Sequence, residues 1–417
     1  MRVYAMRSAI GRRATMLPMA DGLRIQLWSS NYDPEPTGIG PMSRTFVDAL
    51  RSRGHMLDVV AAHPHYPAAD WGRSWRPYRE VRDGIPVLRL PLWIGRASAA
   101  QRVRQEASFA LAQTAAIPFL RRPDVALVIS PSFPALLPAI VAHRLRRVPW
   151  ALWLHDILPD GASATGLVDE GSKLVRGARR LELAAYRRCD RIAVISDAFV
   201  RNLESKDVPR SKIELINLPA TRAPSVASTD SRIRPPGPLR VLTMGNIGFS
   251  QNLAATVRAW EASGIEAQLR IAGTGVAVDA VRAEIRSGRV QLLGLLSDDE
   301  IEHELRQADL ALVSQQPDGV EFNVPSKLMN FMMYGLPVIG VVNPEREVAR
   351  VIQEAKGGWI VDASRLADFP RLVESLEERG ADLRQRGENA QAYAVEHFSA
   401  DAFADRLDAL MRNVAGI

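Results

Sequence analysis

At 417 residues the chain is too long for one ordinary domain and suits two of about 200 each. Hydrophobic residues make up 47% and charged residues 24%, a globular balance that excludes a disordered chain. The net charge of +6 is uneven: residues 1–200 hold 28 Lys+Arg against 17 Asp+Glu, the remainder 25 against 30, so the first half is expected to face something anionic.

Residues 1–22 carry Arg2, Arg7, Arg12 and Arg13 with no acid before Asp21 and no clean apolar core. They read as a floppy basic extension or an overcalled start, not a signal peptide. Apolar runs then predict strands at Arg24–Trp28, Met56–Ala61, Val87–Leu90, Val125–Ile129, Trp150–Leu154, Arg191–Ile195 and Glu214–Ile216. Met42 to Arg53 reads as a helix with Phe46 and Leu50 on one face and Gly54 as its C-cap. Ala107 to Leu120 is apolar but is broken by Ser108, Gln113 and Thr114 and flanked by arginines. It reads as a surface or interfacial helix, too short for the roughly 18 residues of a membrane span. Cys189 is the only cysteine, so no internal disulfide or cysteine-based zinc site forms, as suits a reducing compartment.

The Pro/Ser/Thr-rich stretch 219–238 reads as a linker between a first domain at 23–218 and a second at 239–395. Strands are predicted again at Arg240–Met244, Leu269–Ala272, Val290–Leu293, Leu310–Val313, Pro337–Gly340 and Trp359–Val361. After Asp368 the pattern is helical, and a last helix over 396–417 could cross back to the first domain. Strand and helix alternating in both halves predict an α/β fold of two doubly wound, Rossmann-like domains. Their ligand is expected in a shared cleft at the carboxyl ends of the strands.

Four stretches carry chemistry. In NYDPEPTGIGPMSRTF, a strand runs through Gly38 and Gly40 into a helix, a turn that either simply closes tightly or brings backbone N–H groups to an anion. MGNIGFSQN repeats this logic with Gly245 and Gly248, and two such loops point to a diphosphate. In VPSKLMNFMMYGLPVI, Lys327 follows Ser326 at a helix start, where the dipole disfavours a cation unless an anion is bound; Asn330 lies one turn on, within reach of a sugar hydroxyl. WLHDILPD ends an apolar strand in His155 and Asp156, with His155 a candidate for acid–base or transition-state work. Glu321 precedes the lysine loop as a candidate donor contact, and Gly273 and Gly275 in IAGTG form a weaker glycine pair. No Asp-x-Asp pair occurs, and the H-x-H of His63 and His65 lies in a Pro-rich loop, so no metal is expected. No nucleic-acid motif or aromatic–basic interleaving is present.

From about Leu23 to the C-terminus these motifs, with RSRGHMLDVV and AVISDAFVRNL between them, resemble glycosyltransferase family 4. This is a retaining group of GT-B fold, and the likeness is to its bacterial exopolysaccharide and O-antigen enzymes, such as colanic acid and N-acetylfucosamine transferases. The resemblance implies that Gly38 and Gly40 approach the donor diphosphate, that His155 lies near the transferred sugar, and that Lys327 contacts phosphate. Asn330 stands where the family has its ribose-binding glutamate, Phe322 where it has the preceding one, and Gln251 near its usual basic phosphate contact. The implied reaction moves a hexosyl or N-acetylhexosaminyl group, without a metal. The donor is a nucleoside-diphosphate sugar, uridine favoured over guanosine, and the acceptor a polyprenyl-diphosphate-linked saccharide. The implied location is cytoplasmic, on the inner face of the membrane. A sugar-nucleotide epimerase and a non-catalytic partner subunit are the alternatives.

Overall fold

The computed structural model describes residues 22–36, 39–67, 75–95, 98–130, 136–155, 173–224, 237–318 and 324–417. Gly38, Asp156, Glu321 and Phe322, residues 1–21, and 225–236 of the predicted linker lie outside them. The chain divides into two compact units, residues up to Ile216 with Phe403–Ile417, and Asn217–Ala402.

The first unit holds strands β1 (Arg24–Ser29), β2 (Met56–Ala62), β3 (Tyr78–Arg82), β4 (Ile85–Leu90), β5 (Val125–Ser130), β6 (Trp150–Leu154), β7 (Arg191–Val194) and β8 (Ile213–Leu215). Their order is β3-β4-β2-β1-β5-β6-β7-β8, parallel except for the β3–β4 pair. Every residue of β5 and β6 is buried, which is why these strands read as unbroken apolar runs. Helices α1 (Ile39–Ser52), α2 (Ala99–Ala116), α3 (Leu136–Arg146), α4 (Lys173–Arg188) and α5 (Asp197–Glu204) connect them. Right-handed crossovers place α1 on one face of the sheet and α2, α3 and α4 on the other. Gly54, at φ +85°, ends α1: its N–H donates to Arg51 O at 3.0 Å, and His55 N–H donates to Leu50 O at 3.3 Å.

β3 was not expected from its apolar content, because YREVR is mostly exposed. It forms a hairpin with β4 through Asp83 and Gly84, both at positive φ, the left-handed pair that a tight hairpin turn requires.

The second unit holds β9 (Arg240–Met244), β10 (Gln268–Ala272), β11 (Val290–Gly294), β12 (Leu310–Ser314), β13 (Val338–Val342) and β14 (Gly358–Asp362), all parallel in the order β11-β10-β9-β12-β13-β14. Its helices are α6 (Leu253–Ser263), α7 (Val278–Glu284), α8 (Asp298–Gln307), α9 (Ser326–Met333), α10 (Glu347–Glu354), α11 (Asp368–Ser375) and α12 (Gly380–Phe398), and α13 (Ala400–Ala415) follows. Alternate residues of one strand feed two cores: Val313 and Val342 pack with Phe331 and Phe398, whereas Leu312 and Val341 pack with Trp260 and Phe369. In both sheets the strand order reverses beside the first strand, at β1/β5 and at β9/β12, where ligands of such folds bind at the carboxyl ends.

From Phe403 onward, α13 belongs to the first unit. Phe403 meets Phe46 edge-on at 5.4 Å and Trp153 at 5.9 Å between ring centroids. His55 Nδ1 accepts from Leu23 N–H at 3.1 Å, so its proton sits on Nε2, which donates to Asp408 Oδ1 at 2.6 Å. Arg53 adds a bond to Asp405 at 2.7 Å.

At the carboxyl edge of this sheet a fully buried carboxylate organises two loops. Glu35 accepts from the side-chain amide of Asn31 and from the N–H groups of His65 and Tyr66, each at 2.9 Å, and from Tyr32 N–H at 3.2 Å. Arg89, also fully buried, ties the same loop to its neighbours through Glu80 at 2.8 Å, Ala62 O at 3.2 Å and Asp33 O.

Two variants test these ties by denaturant unfolding. Phe403→Ala should destabilise the first unit by about 3–5 kcal/mol, the usual cost of emptying an aromatic site. Glu35→Gln keeps the shape but turns an amide donor toward other donors, and should cost about 2 kcal/mol.

Candidate functional site

The second-unit site is built from two loops that only glycine permits. Gly245, at φ +108°, follows β9 directly, and its N–H donates to Ala272 O at 2.9 Å. Gly273, at φ +130°, follows β10; a Cβ on it would lie 1.9 Å from Gly245 O. A Cβ on Gly275 would lie 2.4 Å from Ile247 O. The glycines of IAGTG therefore serve backbone contact with the MGNIG loop. Gly248 O accepts from Gln251 N–H at 3.1 Å, closing a short turn before α6. The N–H of Gln316, just past β12, fastens that turn by donating to Ser250 O at 2.9 Å.

Lys327 enters this arrangement from the first turn of α9. A Cβ on Gly245 would come within 4.0 Å of Lys327 Cε, and the ammonium donates to Gln251 Oε1. Lys327 is 8% exposed, and burial pushes its ammonium down to about 8. No carboxylate pairs with it among the described residues. A nearly buried cation with only a neutral amide for a partner, at the positive end of a helix, is electrostatically incomplete. An anion at the mouth of the glycine loop would complete it.

The structure thus brings together Gly245, Gly248, Gln251 and Lys327. Ser326 is exposed at the start of α9, behind Pro325 at the N-cap. Asn330 has other partners than a sugar: its Oδ1 accepts from Arg222 N–H at 3.1 Å, and its Nδ2 donates to Thr221 Oγ1 at 3.0 Å. With Ala220 N–H donating to Phe398 O at 2.8 Å and Arg222 reaching Asp298 at 2.5 Å, residues 220–222 of the expected linker are fastened to the second unit.

In the first unit, Gly40 and His155 stand at the same carboxyl edge. Gly40 lies in the first turn of α1, where a Cβ would come 2.8 Å from Glu35 O. His155 follows β6 and packs against Phe46 and Trp153, with ring centroids 6.2 and 6.0 Å away. It is 8% exposed, and burial pushes its imidazole down to about 4, so the ring is neutral at neutral pH. Its Nε2 has no hydrogen-bond partner among the described residues.

The H-x-H pair serves the loops. His65 Nδ1 donates to His63 O at 3.0 Å, and the His63 ring lies 5.0 Å from that of Tyr78, tilted by 45°. Sequence reasoning passed over Glu35 because a loop carboxylate reads as solvated. Its signal was its setting, between Pro34 and Pro36 and just ahead of the glycine pair. The approach of Gln251 to Lys327 joins residues far apart in the chain, and no local pattern announces it.

Comparison with known proteins bears on the family and the fold. Residues 37–219 match the glycosyl transferase 4-like domain, and residues 238–379 match glycosyl transferases group 1. The chain is similar to the putative colanic acid biosynthesis glycosyl transferase WcaI of Escherichia coli K12, at 24% identity over 332 residues, 75% of this chain and 82% of that protein. Among solved structures it is similar to sucrose-phosphate synthase from Thermosynechococcus elongatus (TM-score 0.65, 16% identity, 94% of this chain and 99% of that one). It is also similar to Anabaena Alr3699/HepE in complex with UDP (TM-score 0.63, 13% identity, 94% and 100%). Two parallel-sheet units, each matched by its own glycosyltransferase domain, show that the chain belongs to glycosyltransferase family 4 and has the GT-B fold.

Proposed function

We propose that the chain transfers a hexosyl or N-acetylhexosaminyl group from a nucleoside-diphosphate sugar to a polyprenyl-diphosphate-linked saccharide in bacterial polysaccharide biosynthesis. Lys327 is the observation that carries this reading: a nearly buried ammonium with no carboxylate partner among the described residues, aimed at a glycine loop. A diphosphate supplies the missing charge. A uridine donor is favoured by the likeness to HepE, whose structure holds UDP, and polysaccharide synthesis by the likeness to WcaI. The acceptor's membrane setting and the cytoplasmic location follow from the resemblance and from the basic first half. No helix among the described residues is long and apolar enough to cross a membrane.

In this reading the anomeric carbon–oxygen bond to the diphosphate breaks as the acceptor hydroxyl attacks from the same face, with retention. The charge that develops on the leaving diphosphate is met by Lys327 and by the start of α9, without a metal. Gln251 positions the lysine and adds no charge of its own. His155, neutral and unsatisfied at Nε2, is the group assigned to the transferred sugar.

Lys327→Met keeps the packing volume and removes the charge. With a radiolabelled UDP-sugar and a lipid-linked acceptor, it should lower kcat/KM by about 10²–10³-fold. Turnover within a factor of two or three of wild type would rule out the phosphate role. Product appearing only as an isomerised donor, without acceptor, would point to an epimerase instead.

Donor binding should also depend on pH in a set direction. The ammonium form binds the diphosphate, and in the free protein it is lost as pH rises through about 8. Donor affinity should be flat below that value and fall by up to tenfold per pH unit above it, a one-proton linkage. Calorimetric titration from pH 6.5 to 9.5 reads the slope, which should vanish in Lys327→Met.

A further inference from the structure

The imidazole of His155 ends a layer of packed rings, and the last helix of the chain completes that layer. Phe46 of α1 and Trp153 of β6 meet edge-on at 4.5 Å between centroids, and their rings lie 6.2 and 6.0 Å from that of His155. Phe403 of α13 meets both, 5.4 Å from Phe46 and 5.9 Å from Trp153, at angles of 67° and 78°. All three aromatic side chains are buried. Neither Trp153 Nε1 nor His155 Nε2 has a hydrogen-bond partner among the described residues, so at these nitrogens it is packing, not a polar bond, that sets where the rings lie.

α13 is anchored apart from that layer, by Asp405 on Arg53 at 2.7 Å, by Asp408 on His55 at 2.6 Å, and by the buried stripe of Leu407, Leu410, Met411 and Val414. The helix therefore keeps its place when Phe403 alone is shortened. Burial is the sole cause that pushes the His155 imidazole down. β6 carries no charged residue, and none of the charges of α1 (Arg44, Asp48, Arg51) or α13 (Asp401, Asp405, Arg406, Asp408, Arg412) moves it. A ring kept neutral by exclusion of water alone responds to whatever lets water in.

We propose that Phe403 is a positioning residue for sugar transfer: by bracing Phe46 and Trp153 it keeps water from His155 and holds the imidazole in one orientation. The proposal rests on the reading of His155 as the group that meets the transferred sugar.

Three variants of the full chain test it. Phe403→Val shortens the brace, and Phe403→Met refills most of it without a ring. Leu410→Ala empties a site on the same helix roughly 10 Å further on. Should Phe403→Val melt below the assay temperature, Phe403→Leu, which removes less volume, takes its place. Titration of the histidine C2–H signals by NMR in ligand-free protein, with His155 assigned by its loss in His155→Gln, reads the imidazole without any substrate. Wild type, Phe403→Met and Leu410→Ala should keep it neutral down to about pH 5, whereas Phe403→Val should raise its midpoint by about one pH unit. With a UDP-sugar and a lipid-linked acceptor, Phe403→Val should lower kcat at pH 7 by about tenfold. Its donor KM should stay within about twofold, because the diphosphate is held in the second unit. Its kcat should fall by a further half near pH 5, where wild type holds its rate. Equal titration of wild type and the folded Phe403→Val overturns the proposal, as does an equal shift in Leu410→Ala. A shift in Phe403→Val alone, with His155→Gln still transferring sugar at the wild-type rate, sinks the reading of His155 and leaves the bracing in place.

Discussion

The site in the second unit depends on one electrostatic imbalance. Burying an ammonium costs several kcal/mol unless a partner repays it, and among the described residues Lys327 receives only the carbonyl oxygen of Gln251. It also sits in the first turn of α9, where the helix dipole opposes a cation. A protein selected for stability alone would place a carboxylate beside it or move it to the surface. In the proposed reading that cost is recovered when an anion binds. Gly273 and Gly275 bear a second load: any side chain at either position would collide with the first glycine loop, so the shape of the anion site and the packing of two strand-end loops are one constraint.

The first unit solves the opposite problem. Its buried charge is negative, and Glu35 is met entirely by N–H donors. Those donors are thereby consumed. The amides of Tyr32, His65 and Tyr66 are not available to a ligand, although they lie at the carboxyl edge where ligands of such sheets bind. What remains there among the described residues is the start of α1, whose first N–H groups have no partner within the helix, and the unsatisfied Nε2 of His155. Glu35 thus narrows the places where a ligand can be recognised, and it fixes the loop that leads into the glycine pair.

How far the sequence could be read follows from the same physics. Strands buried on both faces announce themselves, because VIGVV contains nothing polar and VALVIS and LALVS nothing polar until their last residue. β3 did not, since an edge strand exposed to water carries charges; its Asp-Gly turn was the sign available. Glycine loops and a helix-start lysine are legible because each breaks a local rule that only a ligand or a close contact repairs. Partnerships across long stretches of chain are not legible. Nothing near Gln251 tells that a lysine 76 positions later will reach it, and nothing near Asn330 tells that Thr221 will occupy it.

Asn330 shows what such a partnership changes. One turn beyond Lys327 on the same helix, the family's glutamate would offer a second negative group to a ribose. An asparagine offers an amide, and here that amide is spent on Thr221 and Arg222. The bonds are neutral and short-range, so they hold the chain at residues 221–222 without burying a charge. α9 therefore works on two sides at once: its first turn supplies the cation, and its second anchors the segment that enters the second unit. Restoring a glutamate at 330 would set a carboxylate one helical turn from the lysine and weaken the imbalance on which the anion site rests. With a neutral residue there, no carboxylate stands one turn from Lys327 on α9.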